Sequence, residues 1–137
     1  MQSCLIVDPA PVIRKVASRI LFQMGLTVEG VASGDEAKAW VAANGLPEIV
    51  IVAASAEDPA GVELVRHLRA EAEGRPTVIL ASIVESNLGL MTRLRRAGVT
   101  DYIYKPFDRS ALEGWLTPFV QAAGTSAEGA SASASAA

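Results

Sequence analysis

Asp8, Ser82 and Lys105 are the residues whose types could do chemistry together. Each directly follows a short apolar run: Cys4-Leu5-Ile6-Val7, Thr77-Val78-Ile79-Leu80-Ala81 and Tyr102-Ile103-Tyr104. A carboxylate and an ammonium brought together pair as opposite charges, and a hydroxyl between them can donate or accept. A fourth run, Ile49-Val50-Ile51-Val52, ends in Ala53, which brings no reactive group, and Asp8 is followed by Pro9. Other routes to chemistry are weak. His67 lies in Arg66-His67-Leu68-Arg69 without a Ser, Cys or carboxylate in a recognisable arrangement, so it reads as a surface histidine. No glycine-rich phosphate loop is present. Cys4 is the single cysteine, which excludes an internal disulfide and a cysteine metal cluster.

These residues are placed by alternating elements. The apolar runs, together with the weaker Thr27-Val28-Glu29-Gly30-Val31, read as strands, the continuous ones buried on both faces. Between them, amphipathic stretches at 11–24, 34–44, 60–72, 87–97 and 108–120 read as helices. Gly25, Gly45, Gly74 and Gly98 follow the first four, where a left-handed cap is needed. Ser33 with Glu36 makes a capping box, Pro11 suits a first helical turn, and Asp108 suits an N-cap. Ala10 is a poor cap for the first helix. Five strand–helix units predict an α/β fold: a doubly wound, five-stranded parallel sheet in the flavodoxin-like order 2-1-3-4-5. Ligand chemistry in such a sheet sits at the carboxyl ends of the strands, here 8–10, 53–57, 82–84 and 105–106.

Length and composition agree. The 137 residues suit one domain, expected over 1–121, and half are apolar, enough for a core. The Ala/Ser-rich stretch 122–137 has no large apolar residue and is expected to be a disordered tail. A net charge of −3 gives no general attraction to nucleic acid or anionic lipid. No run approaches a membrane span, and Met1-Gln2-Ser3 does not open a signal peptide. A soluble, cytoplasmic protein is expected.

The chain resembles the receiver domains of bacterial two-component response regulators. The resemblance is carried by Leu5-Ile6-Val7-Asp8, Pro11-Val12-Ile13-Arg14, Gly25-Leu26-Thr27-Val28, Ala32-Ser33-Gly34-Asp35-Glu36-Ala37, Ala97-Gly98-Val99-Thr100-Asp101-Tyr102 and Lys105-Pro106-Phe107, in order across 4–119. It implies a pocket of two adjacent acids after strand one, a phosphoacceptor aspartate after strand three, a Ser or Thr after strand four and a lysine after strand five, with Mg²⁺ held by the carboxylates. Asp8, Ser82 and Lys105 match. Pro9 stands at the second acid and Ala53 at the acceptor, and Ser55-Ala56-Glu57-Asp58-Pro59 replaces the family's Met-Pro turn. An alanine methyl accepts no phosphoryl group. The pocket is therefore expected to be degenerate, without catalysis, metal or cofactor. Ala53 is either natural to a domain that abandoned the chemistry or a replacement of an aspartate; Pro9, a second independent loss, favours the first. Glu57 or Asp58 as a displaced carboxylate is the lesser reading, since solvated loop acids are commonplace.

The remaining function is protein binding. The resemblance makes Tyr102 a switch aromatic, against the plainer reading of a strand-edge ring. On the first helix, Ile13, Val16, Ala17, Ile20, Leu21 and Met24 fall on one face, and Phe22 falls among Arg14, Lys15, Ser18 and Arg19. Arg14, Ser18, Arg19 and Phe22 are thus candidate partner-binding residues, on the surface that docks on histidine kinases in this family. Arg93, Arg96 and Tyr104 are candidates on the helix 4–strand 5–helix 5 face, where family members dimerise. A histidine kinase or another receiver is the expected partner; an anionic second messenger held by helix-four arginines such as Arg95 is a rival.

Overall fold

The computed structural model describes residues 2–128. In chain order it runs β1 (Ser3–Val7), α1 (Pro11–Gln23), β2 (Thr27–Val31), α2 (Gly34–Asn44), β3 (Ile49–Ala53), α3 (Ala60–Ala72), β4 (Val78–Ile83), α4 (Leu88–Ala97), β5 (Asp101–Tyr104) and α5 (Arg109–Glu128). The five strands form one parallel sheet in the order β2-β1-β3-β4-β5, as the alternation of runs and amphipathic stretches requires.

Successive strand residues point to opposite faces, and both faces are buried. Leu5, Val7, Val50, Val52, Ile79, Ala81 and Ile83 pack with buried residues of α2, α3 and α4. Cys4, Ile6, Ile49, Ile51, Leu80 and Ile103 face the other way, against α1 and α5. This two-sided burial explains why the central strands are continuously apolar. It also makes Cys4 inert: burial pushes its thiol up to about 12.

The punctuation works with local differences. Ser33 Oγ accepts from Glu36 N, while the Glu36 carboxylate reaches Ala32 N, one residue beyond the reciprocal capping-box partner. Asp108 caps α5 through Ala111 N. Asn87, expected inside the fourth helix, caps it by accepting from Leu90 N. Gly25, Gly45, Gly74 and Gly98 all have positive φ. Gly45, however, has ψ 164°, outside the left-handed helical well, and Glu73 takes that conformation ahead of Gly74. No side-chain bond caps α1 at Ala10.

Two expectations need correction. The apolar face of the first helix reads as core, but Val16 on it is 42% exposed, because the buried arc, Ala17, Ile20 and Leu21, is narrower than the apolar stripe. Helix α5 does not stop near 121 but continues to Glu128; alanines at 122, 123 and 127, the best helix formers, suit that continuation. The rest of the expected tail, 129–137, lies outside the described residues.

One glycine sets how closely α3 approaches the sheet. A Cβ on Gly61 would stand 2.6 Å from the Ala53 carbonyl oxygen and 2.9 Å from Ala54 Cα and Cβ. These are backbone and core atoms that cannot rotate aside. Gly61→Ala should therefore destabilise the fold by about 1–3 kcal/mol in chemical denaturation; an unchanged midpoint would show that α3 can shift freely.

Candidate functional site

The site lies where β1, β3, β4 and β5 end. Val7 is level with Val52 and Ala53 with Ser82, so Asp8, Ala53 and Ser82 stand side by side, one strand apart. Lys105 N donates to Ile83 O, which brings the lysine to the same edge. The sheet register therefore assembles all four residues picked from the sequence.

Asp8 is buried, and each carboxylate oxygen is engaged. Oδ1 accepts from Ala10 N at 2.9 Å and Oδ2 from Lys105 Nζ at 3.0 Å. The Asp8 side chain is 3% exposed and that of Lys105 18%. Across 3.0 Å the attraction is on the order of 5 kcal/mol at an effective dielectric constant of about 20. Desolvation of the two ions opposes it by several kcal/mol each. The intact pair is thus roughly neutral for stability, yet expensive to break from one side. Arg14, grouped from sequence with the partner-binding face, instead turns inward: its Nη1 donates to the Asp8 carbonyl at 2.7 Å, and its stem covers Gly30. The six-residue step from Asp8 to Arg14 over one loop was the available signal for that contact.

Positions 9 and 53 give the edge its apolar character. Pro9, Ala53, Ala54, Val7, Val52 and Leu64 contribute to a cleft of about 230 Å³ rimmed by Ser33, Ser55 and Asp58. Asp58 is tied down at the start of α3: its N donates to Ser55 Oγ and its Oδ1 accepts from Ala60 N. Ser82 Oγ is buried without a hydrogen-bond partner, alone in this among buried side-chain polar atoms of the described residues.

The neighbouring face is occupied by its own contacts. Tyr102 is half-buried, donates its hydroxyl to Met91 O at 2.7 Å, and carries the Arg95 guanidinium 5.5 Å from its ring centroid. Tyr104 packs edge-on against Trp115, centroids 6.2 Å apart. Arg93 and Arg96 are exposed, and Leu88 on the same helix is 82% exposed. On α1, Phe22 is 72% exposed, Arg19 is exposed and Ser18 is half-buried. Sequence reading missed Val12, exposed at 70% on the same helix. His67 is exposed, with Glu71 3.9 Å away.

A flavodoxin-like sheet with an acid, a hydroxyl and a lysine on its carboxyl edge defines the receiver class of signalling domain. The chain belongs to the response regulator receiver domain family, whose description matches residues 4–116. It is 29% identical over 105 residues to the response regulator PleD of Caulobacter vibrioides, covering 77% of this chain and 23% of that protein. It is 26% identical over 120 residues to the transcriptional regulatory protein MalR of Bacillus subtilis, covering 87% and 50%. The chain thus spans half or less of these curated relatives. The chemotaxis protein CheY4 of Vibrio cholerae is similar in structure, with TM-score 0.78 and 27% identity over 86% of this chain and 98% of that one. Receiver domains interact with kinases and other proteins. No helix among the described residues is long and apolar enough to cross a membrane.

The Mg²⁺ that the family implies does not fit this donor set. Pro9 and Ala53 supply no oxygen from their side chains, and Asp8, the one carboxylate among them, is already paired with Lys105.

Two substitutions probe the site. Lys105→Met leaves the Asp8 carboxylate buried and uncompensated, and should lower stability by about 3 kcal/mol; a loss below about 1 kcal/mol would show that the pair contributes nothing. Ser82→Ala removes an unpaired buried hydroxyl and should raise stability by about 1 kcal/mol. Destabilisation by Ser82→Ala would mean that the hydroxyl has a partner.

Proposed function

We propose that this domain is a receiver without phosphotransfer, which acts by binding a protein of a two-component pathway. One observation carries the reading: the residue beside Asp8 and Ser82, where a receiver presents its acceptor carboxylate, is Ala53. A methyl group is no nucleophile, and the surviving charges, Asp8 and Lys105, neutralise each other at 3.0 Å. Pro9 supports the same conclusion, because restoring an acid at 53 alone leaves the second acid missing. The rival reading, an acceptor aspartate replaced by Ala53, has to explain Pro9 separately. The rival anionic second messenger has less support, since Arg95, central among the helix-four arginines, lies on Tyr102.

The partner surface favoured by the exposed side chains is α1. Phe22, Val12 and Val16 give it apolar area, and Lys15 and Arg19 give it positive charge. A basic, apolar helix face suits a helix bundle with acidic flanks, which is why a histidine-kinase bundle is the partner proposed. Arg14 belongs to the site rather than to that surface. The α4–β5–α5 face, with Leu88, Arg93, Arg96 and Tyr104, is the proposed alternative for a homodimer or another receiver. The domain is read as non-enzymatic and cytoplasmic.

Incubation with a small phosphodonor and Mg²⁺ should leave the mass of the wild-type chain unchanged, and Ala53→Asp should remain unlabelled. Labelling of the wild type ends the proposal, and efficient labelling of Ala53→Asp favours the replaced-aspartate reading. Binding to immobilised kinase helix-bundle domains should weaken about tenfold for Phe22→Ala and for Arg19→Glu with the fold intact. Unaltered binding by both variants would remove α1.

A further inference from the structure

We infer that the carboxyl edge of the sheet is a closed clasp that excludes divalent cations, and that positions 9 and 53 together, rather than 53 alone, set the exclusion. The inference rests on reading the domain as a receiver without its acceptor acid, but it can fail while that reading stands.

Asp8 is the one acid among Asp8, Pro9, Ala53, Ser82 and Lys105, and two cationic side chains already serve it. Lys105 Nζ holds Oδ2 at 3.0 Å, and Arg14 Nη1 holds the main-chain carbonyl at 2.7 Å. A divalent ion at Asp8 would meet both positive charges and would have to displace an ammonium that has little exposure of its own. Mg²⁺ also demands about six oxygens at about 2.0–2.1 Å, usually including one or two carboxylates. The remaining Asp8 oxygen is taken by Ala10 N. Asp58, on the rim of the adjoining cleft, is held by Ala60 N.

Restoring only one acid does not undo this. A carboxylate at position 53 would stand beside Ser82, whose Oγ lacks a partner, and beside the Asp8–Lys105 pair. The unpartnered hydroxyl level with it and the ammonium on the same edge are donors available to it, so a single new acid is absorbed into the clasp. A second acid at position 9, which is exposed and lines the same cleft as Ala53, has no such donor supplied. Only then does the edge carry uncompensated negative charge for a cation.

The test titrates the 137-residue chain with Mg²⁺ by calorimetry and with Mn²⁺ by paramagnetic broadening of amide signals. Wild type and Ala53→Asp should show no saturable binding across the millimolar range. The double variant Pro9→Asp with Ala53→Asp should bind at least about tenfold more tightly, with broadening centred on residues 8–10 and 53–55. Pro9→Glu with Ala53→Asp replaces it if circular dichroism shows that the first pair unfolds. Saturable binding at Asp8 in the wild type overturns the inference. So does single-variant binding as tight as the double, or a folded double variant that binds nothing. Phosphodonor labelling of the wild type is scored separately: label sinks the functional reading, whereas cation binding without label sinks only the clasp.

Discussion

A buried carboxylate must be compensated, and in this domain Lys105 compensates Asp8 across the carboxyl edge of the sheet. The two residues are 97 positions apart, so the contact exists only when β1 and β5 are placed in one sheet with β3 and β4 between them. The contact in turn fixes what the edge can be. Each Asp8 oxygen accepts one hydrogen bond, and Pro9 and Ala53 bring a ring and a methyl, so Asp8 is the one carboxylate among the strand-end residues Asp8, Pro9, Ala53, Ser82 and Lys105. Arg14 tightens the same corner by tying α1 to the Asp8 carbonyl. The first helix is therefore anchored to the site even though no side chain caps it.

The surroundings of the edge follow from the same residues. Receiver chemistry concentrates negative charge, which is destabilising without a counter-ion. Pro9 and Ala53 bring no charge to this edge, and with Leu64 they line an apolar cleft. Gly61 lets α3 come close enough to touch the Ala53 carbonyl, so the acceptor position is backed by helix as well as sheet. The unpaired Ser82 hydroxyl is the exception to an otherwise satisfied edge. It remains where its usual interaction partner, in the family pattern, no longer exists.

Much of this architecture was legible in the chain because it depends on period and punctuation. Five continuous or alternating apolar runs, each followed by a turn and an amphipathic stretch, fix a parallel sheet and the edge at which side chains meet. Asp8, Ala53, Ser82 and Lys105 were identifiable as neighbours because sheet order and register follow from that pattern. What was not legible depends on packing depth and on long side chains. Val16 lies on the apolar stripe of α1 but outside the arc that Ala17, Ile20 and Leu21 bury. Arg14 looked like a surface charge because a helical wheel cannot show a side chain reaching back over its own N-terminus. Gly61 gave no sign of its importance, since the constraint comes from a carbonyl on another element. The continuation of α5 past 121 reflects alanine's helix propensity, which a tail-like composition concealed.

Tyr102 joins β5 to α4. In the family pattern, Tyr102 responds to what the Ser or Thr hydroxyl does at the strand-four end. Here the ring is held by two contacts that owe nothing to the site: its hydroxyl on Met91 O and the Arg95 guanidinium over its face. Both come from α4, so helix and ring form a unit whose position does not depend on a group at Ala53. A hydroxyl bonded to a main-chain oxygen and a stacked guanidinium each contribute on the order of 1 kcal/mol, which is enough to bias a side chain toward one rotamer.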